Sequence, residues 1–219
     1  MRIAKRSTKG KPRKLFLTAR FERALLFATR AHSGQWKKGT TVPYIAHLLG
    51  VASLVLDAGG DEDLAIAALL HDVVEDCGGL PMLKKVRKLF GTRVAHIVDA
   101  CSDYRGPAGS LKPEWRERKE AYLHHLRVAD SDVRLVSAAD KLHNSRQILA
   151  DYREIGDKVF ERFTGKREGT LWYYDALLKE FLRTKRNRLV NELERVVGDL
   201  QAMIAQPSKR VSERASRRK

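Results

Sequence analysis

The sequence has two cysteines in 219 residues, Cys77 and Cys101. They are too few for a disulfide framework and too far apart for a CxxC motif, which fits a reduced, cytoplasmic setting. No uninterrupted apolar run reaches the roughly 18 residues that a membrane-spanning helix needs. The apolar stretch LFLTARFERALLFA follows a basic start and is broken by Arg20, Glu22 and Arg23, so neither a signal peptide nor a membrane span is expected. Alternation of the strand kind never persists beyond a few residues. Only 6 Pro and 15 Gly are present against 43% hydrophobic and 32% charged residues, a composition that excludes a low-complexity chain and favours one folded domain.

Net charge is also scarce outside the two ends. Residues 1–20 hold eight Lys or Arg and no acid, and residues 206–219 hold six against Glu213 alone. Most of the net charge of +16 therefore sits in tails, and residues 21–205 carry only about +3. That balance is not the one expected of a dedicated nucleic-acid-binding domain. The reading is a basic extension over 1–14, one globular domain over 15–204 and a basic, disordered tail over 205–219, with tails able to touch RNA or acidic surfaces.

Helical periodicity dominates, which predicts an all-α fold. A first helix is expected over 18–31, then a loop, HSGQWKKGTTVP, where Gly34, Gly39 and Pro43 oppose continuation. A second helix starts near Tyr44 and ends at Gly59-Gly60, with Asp61 placed to cap a third. The third runs to Gly78-Gly79, Pro81 opens a short helix, and another follows over 92–102. After the loop YRGPAGSLKP, helices are expected over 114–129, 132–152, 168–184 and 188–204, with Gly156, Gly165 and Gly169 marking an irregular link.

The third helix carries AALLHDVVEDC, residues 67–77. At about 100° per residue, His71, Asp72, Glu75 and Asp76 fall on one side of a helix whose other side takes Leu69, Leu70 and Val73. Buried carboxylates are unfavourable unless they are paired or bind a metal. His47 lies in the apolar PYIAHLLGVA and Asp140 in LVSAADKLHNSR. Three separate helices thus offer His, His-Asp and Asp, a ligand set suited to Mn²⁺, with Fe²⁺ or Zn²⁺ as alternatives. Read singly, His47 is more often structural and Asp140 as often structural as not, and a lone HD pair is usually a surface patch. His32 is either a neighbour of the site or a helix end, and Lys141 and Arg146 either meet phosphate or line a solvated face. Cys77 reads as a small apolar residue, and His124 and His125 have no usable spacing.

The order His47, His71-Asp72, Asp140 resembles the HD-domain metal-dependent phosphohydrolases, which are all-helical. The segments FATRAHSGQWKKGTTVPYIAHLLGVA, AALLHDVVEDC, FGTRVAHIVDACSD and AADKLHNSR resemble the hydrolase domain of RelA/SpoT enzymes and the Mesh1-like small alarmone hydrolases of the stringent response. The resemblance covers about residues 18–200. It implies one Mn²⁺ held by His47, His71, Asp72 and Asp140, with Glu75 and Asp76 positioning and activating the attacking water. It further implies that Asn144 contacts the nucleotide and that Lys37 and Lys38 lie near base or phosphates. The implied reaction is metal-dependent 3′-pyrophosphohydrolysis of ppGpp or pppGpp to pyrophosphate and GDP or GTP, in a hydrolase-only form.

Two positions depart from that pattern. The family usually has Arg-Lys where this chain has Lys37-Lys38, and lysine lacks the planar guanidinium that stacks on a purine. Leu48 follows His47 where proline is more usual, a change that shifts the backbone little. Aromatic residues near Trp172 and Tyr173 have family parallels and are as readily core. Two other readings stay open: a hydrolase of another nucleotide, such as an adenosine alarmone or NADPH, and a nucleic-acid-associated protein with a vestigial HD site.

Overall fold

A computed structural model describes residues 14–107, 110–184 and 186–205. Thr18 accepts from the Arg20 amide at 3.2 Å and opens α1, Ala19–Ala31. The loop that follows folds back through an isolated antiparallel bridge between Trp36 and Pro43. Then come α2, Ile45–Asp57, α3, Glu62–Leu70, and the short α4, Val73–Cys77. Asp61 caps α3 as expected, accepting from the Leu64 amide at 3.0 Å. Next are α5, Gly79–Phe90, α6, Thr92–Cys101, and α7, Trp115–Val128. The long α8, Ser131–Ile155, runs through a 3-10 segment, Gly156–Arg162, into α9, Lys166–Leu182, and α10, Arg188–Ala205, follows. No strand occurs among the described residues, so the fold is all-α. Of these helices, none is long and apolar enough to cross a membrane.

The centre of the molecule is α3. Every residue from Leu64 to Leu70 is buried, because α1, α2, α6 and α8 enclose it. Asp130 caps α8 by accepting from the Asp132 and Val133 amides, both at 3.0 Å. At about 1.5 Å per residue, the 25 residues of α8 span roughly 37 Å. That length lets its middle meet α2, α3 and α6 and lets it pack on α10.

Three expectations need correcting. The third helix is not continuous to Gly78: it stops at Leu70, His71 and Asp72 form a turn, and α4 begins at Val73. No glycine or proline marks this break. Its physical cause is His71, whose Nδ1 meets the Ala68 carbonyl oxygen at 2.8 Å and satisfies an end group the helix leaves open. The helix expected to open at Pro81 starts at Gly79, so that pair of glycines is not wholly a stop. The last link is shorter than expected, since α9 begins at Lys166 and Gly169 lies inside it. Gly169 is tolerated because the Trp115 ring packs on it: a Cβ there would stand 3.1 Å from that ring. The tail expectations for 1–14 and 205–219 fall, apart from Lys14 and Ala205, outside the described residues.

Candidate metal centre

Helix α2 brings His47 in its first turn, the α3–α4 turn brings His71 and Asp72, and the middle of α8 brings Asp140. Their donor atoms converge. His47 Nε2 lies 3.3 Å from His71 Nε2, 3.6 Å from Asp72 Oδ2 and 3.3 Å from Asp140 Oδ1. His71 Nε2 lies 3.0 Å from Asp72 Oδ2 and 3.6 Å from Asp140 Oδ1. Metal–ligand bonds of about 2.0–2.2 Å place neighbouring ligand atoms roughly 2.8–3.6 Å apart in tetrahedral or octahedral geometry. The spacings match: His47, His71 and Asp72 form a His-His-Asp group that fits a divalent transition cation, and Asp140 approaches both imidazoles.

Neighbours orient each of these donors. The Ala68 carbonyl accepts from His71 Nδ1–H, which leaves the Nε2 lone pair facing the cluster. The Tyr44 hydroxyl donates to Asp72 Oδ2 at 2.5 Å. Asn144 Nδ2 donates to Asp140 Oδ1 at 2.6 Å, and the Lys141 ammonium meets Asp140 Oδ2 at 2.5 Å. His47 Nδ1 lies 2.9 Å from His143 Nδ1. Sequence reading did not single out Tyr44 or His143 for the site. The available signal was spacing, since Tyr44 stands one turn before His47 and His143 one turn after Asp140.

Burial alone would make both imidazoles less basic, but Asp140 and Asp72 outweigh it. His47 rises above its ordinary value, and His71 rises well above it. Burial likewise works against the ionised carboxylates. The His71 and His47 imidazoles nevertheless hold Asp72 well below the usual range, and Lys141 with the imidazoles does so for Asp140. Before a cation binds, protons shared among these groups balance the buried charge.

Glu75 and Asp76 stand beside this cluster on α4. Partial burial, with the Asp103 charge, raises Glu75, and desolvation by its neighbours, with the Asp72 charge, raises Asp76, which keeps an exposed edge. Glu75 Oε1 accepts from Lys112 Nζ at 2.8 Å. Arg118 lies 3.8 Å from the same oxygen and, with Lys119, is anchored on Asp103 at 2.6 Å. Asp76 Oδ2 accepts from Gln35 Nε2 at 2.9 Å, and Gln35 Oε1 lies 2.6 Å from His32 Nδ1. His32 is therefore both the end of α1 and part of the chain of contacts that holds Asp76.

The remaining candidates separate. Lys37 reaches α8 and donates to Gln147, one turn beyond His143 and Asn144. Lys38 is exposed. Asn144 binds the carboxylate of Asp140, and Lys141 is paired with it rather than lying on a solvated face. Arg146 turns away to Glu192 on α10 at 3.0 Å. Tyr173 is buried, while Arg116 stacks on Trp172, 3.3 Å from the ring centre. Burial and the Asp76 and Asp72 charges push the Cys77 thiol up to about 12, and its Sγ donates to the Ala31 carbonyl at 3.3 Å. Cys77 is an inert packing residue.

A guanosine-3′,5′-bis(diphosphate) 3′-pyrophosphohydrolase, MESH1 of Xenopus tropicalis, is 36% identical over 125 residues, which are 56% of this chain and 65% of that protein. The bifunctional (p)ppGpp synthase/hydrolase SpoT of Escherichia coli K12 is 34% identical over 135 residues, 59% of this chain and 18% of that protein. The matched region thus spans less than a fifth of such long relatives. A solved structure described as a metazoan ortholog of SpoT that hydrolyzes ppGpp superposes with a TM-score of 0.69 at 25% identity. It covers 84% of this chain and 96% of that one. A Listeria monocytogenes protein, lmo0812, shares the fold with a TM-score of 0.60 at 24% identity, over 73% of this chain and 99% of its own. The HD domain model matches residues 24–171, a stretch that contains every member of the His-Asp cluster, and the chain belongs to the HD-domain family.

Proposed function

We infer that this protein is a metal-dependent 3′-pyrophosphohydrolase of ppGpp and pppGpp. The observation that carries this reading is the buried His47–His71–Asp72–Asp140 cluster with Glu75 and Asp76 directly beside it. Its relatives named for that activity support the choice of substrate. The resemblance favours Mn²⁺, and Fe²⁺ and Zn²⁺ suit the same donors.

His47, His71, Asp72 and Asp140 would hold a divalent cation, which when bound would supply a Lewis acid able to make water a nucleophile near neutral pH. The protein's own groups then act on water and substrate. Glu75, made more basic by burial and the neighbouring Asp103 charge, accepts the proton of the attacking water. Asp76, held by Gln35, orients that water. The water oxygen bonds to the phosphorus attached at the ribose 3′ oxygen, the bond to that oxygen breaks, and the oxygen takes up a proton. Pyrophosphate leaves together with GDP or GTP. Lys112, Arg118 and Lys119 gather three cations on the Glu75 side, complementary to a pyrophosphate group.

The test is ppGpp hydrolysis by metal-stripped protein with Mn²⁺ added back, following GDP and pyrophosphate. Equal release of both is expected. Asp72→Asn should abolish it with helicity unchanged, and Glu75→Ala should lower kcat by about 10²–10⁴. Retained turnover in Asp72→Asn would overturn the reading. Lys37 is tied to Gln147 and brings no stacking guanidinium to a purine, which favours testing a second reading, an adenosine alarmone or NADPH, in the same assay. Faster turnover of either would move the substrate assignment.

A further inference from the structure

His143 is neither one of the four donors nor part of the Glu75–Asp76 pair, yet it meets the remaining ring nitrogen of His47. The two Nδ1 atoms are 2.9 Å apart, with ring centroids 4.8 Å apart and planes crossing at 61°. Two imidazole nitrogens in contact require one to donate and the other to accept. His47 Nε2 faces the other three donor atoms, so its cation-binding lone pair belongs there and the proton belongs on Nδ1. His143 is then the acceptor.

The backbone of α2 makes room for this contact. Gly50 lies one turn after His47, and a Cβ there would stand 2.3 Å from Cδ2 and Nε2 of the His143 ring. Glycine weakens a helix interior, and here the missing side chain is the space that the ring occupies. His71 achieves the same orientation with the Ala68 backbone carbonyl. The two imidazole donors are thus aimed by different devices, one from the main chain and one from a side chain on α8.

We propose that His143 is a positioning residue: by accepting the Nδ1 proton of His47 it fixes the tautomer and ring orientation that aim Nε2 at His71, Asp72 and Asp140. The proposal rests on the reading of this cluster as a cation site.

The experiment titrates Mn²⁺ and Zn²⁺ calorimetrically into metal-stripped wild type, His143→Phe, His143→Gln and Gly50→Ala, with circular dichroism to establish folding. In parallel, nitrogen-15 NMR of histidine-labelled, metal-free protein follows the His47 Nδ1–H. His143→Phe and Gly50→Ala should weaken cation binding by about 10–100-fold. His143→Gln, whose side-chain oxygen accepts the same proton, should return close to wild type. The His47 Nδ1–H should resist exchange in wild type and the Gln variant and exchange freely in the Phe variant. Unchanged cation affinity in His143→Phe overturns the proposal, and so does a Gln variant as weak as the Phe variant. If wild type binds neither cation, the metal reading falls, and the Nδ1–H signal alone then upholds or overturns the role of His143.

Discussion

His71 uses both ring nitrogens, Nδ1 on the Ala68 carbonyl and Nε2 toward two carboxylates, and its protonation is linked to cation binding. In metal-free protein both His47 and His71 hold their protons above the ordinary value of 6.5. A bound cation must displace those protons. Cation affinity should therefore keep rising with pH above 6.5, through both raised values, with up to two protons released per cation. Calorimetry in buffers of different ionisation enthalpy checks this; a flat affinity from pH 6 to 9 would contradict it. The same sign governs stability without metal. Because the folded values are raised, the histidine contribution is present below 6.5 and is lost as pH rises through them. At this scale the side chains that the structure brings together were legible in the sequence, because His, Asp and Glu inside apolar helices are conspicuous. Tyr44 and His143 were not, since their one-turn spacing from His47 and Asp140 does not show which side chain on another element each would meet.

Helix ends are where elements of this fold join. Arg134, buried on α8, donates to the Leu126 carbonyl at 2.7 Å and to the Glu180 and Phe181 carbonyls at 2.7 and 3.1 Å. These are last-turn carbonyls of α7 and α9, which otherwise accept only long 3.4 Å bonds from the residues that follow each helix and favour a cation. Arg134→Met keeps the volume but leaves the Leu126, Glu180 and Phe181 carbonyls only their long 3.4 Å bonds from the Ala129 amide, the Arg183 amide and the Thr184 hydroxyl, so a loss of about 1–3 kcal/mol is expected, read as a lower urea midpoint. A change under about 0.5 kcal/mol would remove Arg134 from this role. The helices themselves followed from periodicity, but the break between α3 and α4 did not. A histidine ring that captures its own helix carbonyl leaves no proline or glycine to signal it.

Across the whole molecule, the cluster ties α8 to the α2 and α3–α4 segments, with α5, α6 and α7 intervening in sequence. A cation that binds the folded form and not the unfolded one stabilises it by mass action, about 2.7 kcal/mol at a hundred times Kd. Chelation should lower Tm, Mn²⁺ should restore it, and Asp140→Asn should remove most of the response. An equal response in Asp140→Asn would place the binding elsewhere.

The all-α class, the chemical types of the four side chains that meet and the acidic pair beside them could be read from residue order alone. Those properties reside in periodicity and in individual side chains. Only the tertiary structure decided that His71 ends a helix, that Lys112 caps Glu75 across the α4 surface, and that Gly50 yields space to His143. Each of these depends on segments that meet through packing, and the distance between two side chains is not encoded in the local order of residues around either.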